Sequence, residues 1–453
     1  MKLRCPNRAA PALDIIGVGM ETLTCSYTVE TITPIYGGGV DAGSPDLDMP
    51  VRPSAIRGQL RFWWRLINRI NFPESKALFE AERALFGGLG SERSATASRV
   101  HFSVSNLAKV AAEQCANYRQ RDDGTWSATP SFPFGPGYAQ FIGQGKANRN
   151  NGVTDEPNRI LAPGLIFQLH LSIRGGTPAA VEIWEKQLLP ALRWWASFGG
   201  LGARTRRGMG AIRIPDLVPV TESEWTRHGC FLASRPTRPQ AQTAWTDAID
   251  KLKDFRQRPD FGRNPSSPGS NSPGRSRWPE ADSIREITGR CLDRRARPAQ
   301  NGKLAQPAKN HAPTHPARQS FPRAAFGLPI IFHFKDVPGD NTPAQTRLAF
   351  DPEDSVLYPL MNNQKMDRMA SPLILKPMWN GGNYTPIALL LPHNHLTQMG
   401  VRLENSATGT RDFQPGQWWQ TSASTSMTRS ATANPLRGKT GDVLNDFLDF
   451  FRI

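Results

Sequence analysis

Polar and apolar residues alternate through TLTCSYTVETIT (22–33), which puts Leu23, Cys25, Tyr27 and Val29 on one face of a half-buried strand. Pro34 and the glycines at 37–39 end that run. A loop of Gly, Pro and Asp then leads to Pro53-Ser54, where Ser54 is placed to cap a helix. In IRGQLRFWWRLINR (56–69) and the residue after it, helical spacing gathers Ile56, Leu60, Trp63, Ile67 and Ile70 into an arc of roughly 80°. Arg57, Arg61, Arg65 and Arg69 fall within about 120° on the opposite side, with Gly58 and Asn68 among them. Trp64 flanks the apolar arc and Phe62 borders the basic one.

RVHFSVS (99–105) and LIFQLHLSI (165–173) alternate again, and AIRIPDLVPV (211–220) supplies a last short strand. Before that strand, VEIWEKQLLPALRWWASF (181–198) carries Val181, Trp184, Leu188, Leu192 and Trp195 on one helical face, with a kink predicted at Pro190. The order over 22–218 is β-α-β-β-α-β, that of the ferredoxin-like (RRM-like) α+β fold. From about 257 to 325 the composition changes: RQRPDFGRNPSSPGSNSPGRSR is rich in Pro, Ser and Gly, and the stretch from Arg290 to Arg323 is basic with Asp293 as its one acid. These read as mobile insertions that bury too little apolar area to fold alone, with RWPEADSIREIT ordered between them. After Phe326 the chain turns apolar in FGLPIIFHFK, SPLILKPM and PIALLLP, and VLNDFLDFF makes a closing helix. Three parts are therefore expected: 1–220, a helical and mobile basic segment at 221–325, and a divergent α+β domain at 326–453.

Charge narrows the partners. Of 453 residues, 55 are Lys or Arg and 39 are Asp or Glu, a net charge of +16, which favours a polyanion. Five widely spaced cysteines with no CxxC pair argue against both a disulfide framework and a zinc site. No stretch approaches 18 apolar residues and the N-terminus lacks a long apolar region, so a cytoplasmic protein without a membrane partner is expected.

The strongest chemical signal is FGGLGARTRRGMGAIRI (198–214), where glycines bracket Arg204, Arg206 and Arg207 between a helix and a strand. Glycines let a backbone approach closely, and arginines supply charge and bidentate donors to phosphate. It is not a dinucleotide fingerprint, because Thr205 occupies the third glycine position and the loop enters a strand. Taken alone, either basic element could be solvated surface; their pairing points to phosphate. No acid at i±4 pairs the helix arginines, and Gly58 costs about 1 kcal/mol relative to Ala, as though something approaches the backbone there. LRGKTGD (436–442) lacks the first glycine and the preceding strand of a phosphate loop. His393 and His395 lack a third metal ligand, and no nucleophile elbow or cysteine signature occurs. Asp41, Asp46 and Asp48 could bind Mg²⁺ or assist attack of a 2′-hydroxyl, although three acids among Gly, Ser and Pro also suit a solvated turn.

The blocks TPIYGGG, VRPSAIRGQLRFWWR followed by LFGG, GGLGARTRRGMG, RWPEADSIR, FGLPIIFHF and RMASPLILKP resemble the RAMP superfamily, and within it the first-numbered subunits of the Cmr effector complexes of type III-B CRISPR systems. The resemblance runs from about 31 to 377; the insertions around 257–320 are long for that family. It implies tandem ferredoxin-like domains, the second degenerate, in a subunit without nuclease activity or cofactor. Such a subunit caps the filament near the guide RNA 3′ region, binds guide (crRNA) and target RNA, contacts other RAMP subunits and serves antiviral defence. Related backbone subunits cut RNA with an aspartate after their first strand, so an endoribonuclease using the 37–50 loop is the alternative, and a pure protein scaffold a third. The expected RNA-binding residues are Arg52, Ser54, Arg57, Gly58, Arg61, Arg65, Gly200, Gly202, Arg204, Arg206, Arg207 and Gly208, with the helix and the loop in one groove. No metal site and no small-molecule substrate are expected.

Overall fold

A computed structural model describes the chain except residues 1–21, 41–42, 90–94, 130–131, 149–151, 260, 267, 269–273, 292–312, 316, 318, 335–336, 338–346, 348–349 and 419–441. The chain divides into two compact units. The first takes residues up to Gln114, Asn158–Ala203 and Met209–Val220; the second takes Cys115–Pro157, Arg204–Gly208 and Thr221–Ile453. Most of the basic segment after Cys291, Asp41 and the LRGKTG motif lie outside the described residues.

In the first unit, β1 (Thr22–Thr31) is followed by α1 (Pro53–Asn68) and α2 (Ser75–Phe86), then β2 (Val100–Ser105) and β3 (Ile166–Arg174). Next come α3 (Thr177–Ile183) and α4 (Leu189–Phe198), and β4 (Ile212–Arg213) closes the series. The strands order β4-β1-β3-β2, every neighbour antiparallel, with Val29 facing Phe167 and Leu171 facing both Cys25 and Phe102. Period-two burial on β3 hides Phe167, Leu169, Leu171 and Ile173 against the helices. The other face is polar: Ser26 and Ser105 hydroxyls bracket the His170 ring at 2.7 and 2.8 Å, and Gln168 donates to Thr28.

Four tryptophans build the helical side of this core. Trp63 of α1 packs 5.8 Å from Trp194 and 6.1 Å from Phe198 of α4. Trp64 is also buried, between Phe72 and Phe86, so the apolar arc is wider than the sequence spacing suggested. α1 ends at Asn68, which leaves Ile70 exposed. Pro190, which lacks an amide hydrogen, sits in the first turn of α4, and the kink predicted there is a π-helical stretch, Trp184–Leu188, joining α3 to α4.

In the second unit, β5 (Phe231–Ser234), α5 (Ala241–Gln257), α6 (Glu280–Ile287), β6 (Ile330–Phe332) and β7 (Ser355–Met361) precede β8 (Leu373–Trp379), β9 (Tyr384–Leu390), β10 (Gly400–Asn405), β11 (Gly409–Phe413) and α7 (Val443–Arg452). One antiparallel sheet orders β5-β9-β8 and another β6-β7-β10-β11. α5 packs on β8 and β9, and Phe255 of α5 meets Phe447 and Phe450 of α7 at 5.2 and 5.4 Å. No helix among the described residues is long and apolar enough to cross a membrane.

Candidate nucleic-acid interface

The arginine face of α1 begins at Arg52, which occupies the N-cap position; Ser54 lies inside the first turn and is exposed rather than capping. The Arg52 guanidinium sits 2.6 Å from Asp46, whose carboxylate also accepts from the Asp48 and Met49 amides. Those bonds, the Arg52 one foremost, hold the Asp46 carboxyl below its ordinary range. Asp46 is therefore the anchor of a tight turn.

One turn on, Arg57 donates to the carbonyl of Phe86 at the end of α2, and its Nε is buried with no hydrogen-bond partner among the described residues. Arg61 Nε and Arg65 Nη1 both reach Oε1 of Glu82, at 2.5 and 2.7 Å. Glu82 is 2% exposed, whereas the two arginine side chains are 32% and 43% exposed. A search at i±4 on one helix misses this partner because it stands on α2. The signal was present in SKALFEAERALF, where Glu82 falls on the same stripe as Leu78, Leu85 and Phe86. One carboxylate serves two guanidiniums and Arg57 meets a neutral carbonyl, so Arg57, Arg61 and Arg65 together retain a net positive charge. At the middle of this face Gly58 is exposed, and a Cβ built on it would meet nothing within 4 Å.

The glycine-rich loop divides between the two units. In the first, Gly200 bridges to Ala211, and Ala203 donates to the Tyr36 carbonyl at 2.7 Å. Gly202, at φ +75°, lies so close to that carbonyl that a Cβ would stand 2.6 Å from it.

In the second unit the loop's arginines turn to the protein itself. Arg206 donates to the Ser371 carbonyl, Arg207 to those of Leu373 (3.0 Å) and Phe326 (3.1 Å), and Arg204 to that of Ala139 (2.9 Å). Ser371 precedes by two residues Leu373, the first residue of edge strand β8, so the guanidiniums do for these carbonyls what a neighbouring strand would do. Gly208 (φ +77°) continues the row, with the Leu375 carbonyl 2.7 Å and Trp245 Nε1 2.6 Å from where its Cβ would be. Burial and the surrounding guanidiniums bring Arg207 down to about 9. These contacts give Arg206, Arg207 and Gly208 a structural part that a reading of the loop as surface does not anticipate.

A family model described as the RAMP superfamily matches residues 28–213. The chain is 23% identical over 190 residues to the CRISPR system Cmr subunit Cmr1-2 of Pyrococcus furiosus, covering 42% of this chain and 93% of that protein. A chain in the cryo-EM structure of the Type III-B Cmr-beta bound to cognate target RNA and AMPPnP, in the presence of ssDNA, aligns over 95% of this chain and 99% of its own at 12% identity, with a TM-score of 0.35.

Proposed function

We infer that this chain, which carries a RAMP-superfamily domain over residues 28–213, is a non-catalytic RNA-binding subunit of a type III-B Cmr ribonucleoprotein, with guide and target RNA and other RAMP subunits as partners. The similarity to Cmr1-2 supports the assembly. The order β4-β1-β3-β2 supports a ferredoxin-like first unit, and β5-β9-β8 repeats the order of its first three strands in a divergent second. The binding surface is assigned to the exposed side of α1, Arg52, Ser54, Arg57, Gly58, Arg61 and Arg65, with the backbone of Gly200 and Gly202 as further contact.

The observation that carries the reading is the under-neutralised face around Gly58. Two arginines share one buried carboxylate, and an unhindered glycine sits where an RNA backbone would approach. The engagement of Asp46 with Arg52 and two amides supports a structural part for the 37–50 loop.

The test is RNA affinity against salt for wild type and the Arg57→Ala/Arg61→Ala double variant, folding confirmed. Weakened binding with a shallower log-log slope is expected; wild-type behaviour would overturn the assignment. In the assembled complex, Asp41→Ala/Asp46→Ala/Asp48→Ala is expected to leave RNA cleavage unchanged, and a loss would restore the nuclease reading.

A further inference from the structure

Arg207 satisfies carbonyls, but a carbonyl does not cancel a charge, and more cations gather beside it. Arg256 of α5 donates to the Tyr138 hydroxyl at 3.1 Å and lies over the Phe326 ring, 5.0 Å from its centroid. The carbonyl of that same Phe326 accepts from Arg207, and the carbonyl of Ala139, next to Tyr138, accepts from Arg204. Arg323 belongs to the same helical turn as Phe326. Four guanidiniums, those of Arg204, Arg207, Arg256 and Arg323, thus gather about Phe326 and the Tyr138–Ala139 pair, all within the second unit. A carboxylate, Glu280, joins the group, ion-paired with Arg323 Nε (3.0 Å) and accepting from the Arg323 backbone amide (2.8 Å). Bringing like charges together in a half-buried place is unfavourable unless an anion joins them.

Two groups there also have hydrogen-bonding capacity that the chain leaves unused. Arg256 Nε is buried with no hydrogen-bond partner among the described residues. Gln140, one residue beyond the Ala139 carbonyl, is 1% exposed, and neither its amide oxygen nor its nitrogen has a partner among them. Because the Tyr138 hydroxyl accepts from Arg256, its own proton is left to donate. A donor set of guanidiniums and a phenol suits a tetrahedral oxyanion carrying more than one negative charge.

We propose that Arg207, Arg256 and Tyr138, flanked by Arg204 and Arg323, form an oxyanion site in the second unit that takes a phosphoryl group. Arg256 and Tyr138 supply hydrogen bonds and Arg207 supplies charge. The site is separate from the α1 face and does not require the RNA reading to hold.

The experiment is thermal unfolding and calorimetric titration of the full chain with inorganic pyrophosphate, against sodium chloride at matched ionic strength, for wild type, Arg256→Met and Tyr138→Phe. Pyrophosphate is expected to raise the midpoint of wild type, with Kd weakened about tenfold or more in Arg256→Met and less in Tyr138→Phe. If Arg256→Met does not fold, Tyr138→Phe, which removes one oxygen, decides. No stabilisation beyond chloride, or equal stabilisation in wild type and variants, overturns the site. Arg57→Ala/Arg61→Ala is expected to keep the pyrophosphate response even where it loses RNA, so the two assignments fail separately. Competition of an RNA oligonucleotide with pyrophosphate identifies the phosphoryl source as the RNA backbone; its absence identifies a free anion.

Discussion

At the scale of single residues, Gly58 and Glu82 separate stability from binding. Nothing among the described residues stands where a side chain at 58 would go, so Gly58→Ala is expected to stabilise the first unit by about 1 kcal/mol in chemical denaturation. If RNA approaches the backbone there, the same variant binds RNA more weakly, a pairing of opposite signs that a solvated helix face would not produce. Glu82→Gln runs the other way. It removes a buried carboxylate from two partly exposed arginines and is expected to cost roughly 1–3 kcal/mol. The two released charges are then available to phosphate, so the salt dependence of RNA binding should steepen; an unchanged slope would mean that Arg61 and Arg65 do not meet RNA.

At the scale of elements, the glycine-rich segment acts as the missing neighbour of β8. Arg207→Met leaves the Leu373 and Phe326 carbonyls without that donor, and a loss of about 2–4 kcal/mol is expected, read from the denaturation midpoint. A second element depends on pH. Asp442 caps α7 by accepting from the Leu444 amide, and His393 Nε2 lies 3.7 Å from the same carboxylate. The Asp442 contact raises the His393 pKa above its ordinary 6.5. That stabilisation is complete below 6.5 and is lost as pH rises through the folded value. The stability difference between wild type and His393→Gln should therefore shrink as pH increases across that range; a constant difference would show that the imidazolium does not bind the cap.

β1, β3 and α1 of the first unit were legible because each buries one face, so the periods of Leu23 to Val29 and of Ile56 to Ile67 state their own orientation. The partners across elements were not. Glu82 stands about twenty positions from Arg61 and Arg65, on a helix the alternation left unassigned, and the Ser371 and Leu373 carbonyls lie more than 160 positions from the loop that covers them. Carbonyls are present at every position and carry no mark in a sequence. An arginine bound for a sheet edge therefore reads the same as one bound for phosphate.

At the scale of the whole molecule, the net charge of +16 favours affinity for RNA through electrostatics alone, so affinity by itself does not locate a site. The slope of log K against log salt does, because each phosphate neutralised in a single strand contributes about 0.7 to it. Removing two contacting arginines, Arg57→Ala/Arg61→Ala, should reduce the slope by roughly 1.4. Replacing two arginines of the second unit that pair with carboxylates there, Arg402→Ala/Arg452→Ala, lowers the net charge equally. If the general field binds RNA, both doubles weaken it alike and neither changes the slope selectively. If the α1 face binds, only the first double changes the slope, and the difference between two variants of equal charge is then a measure of position.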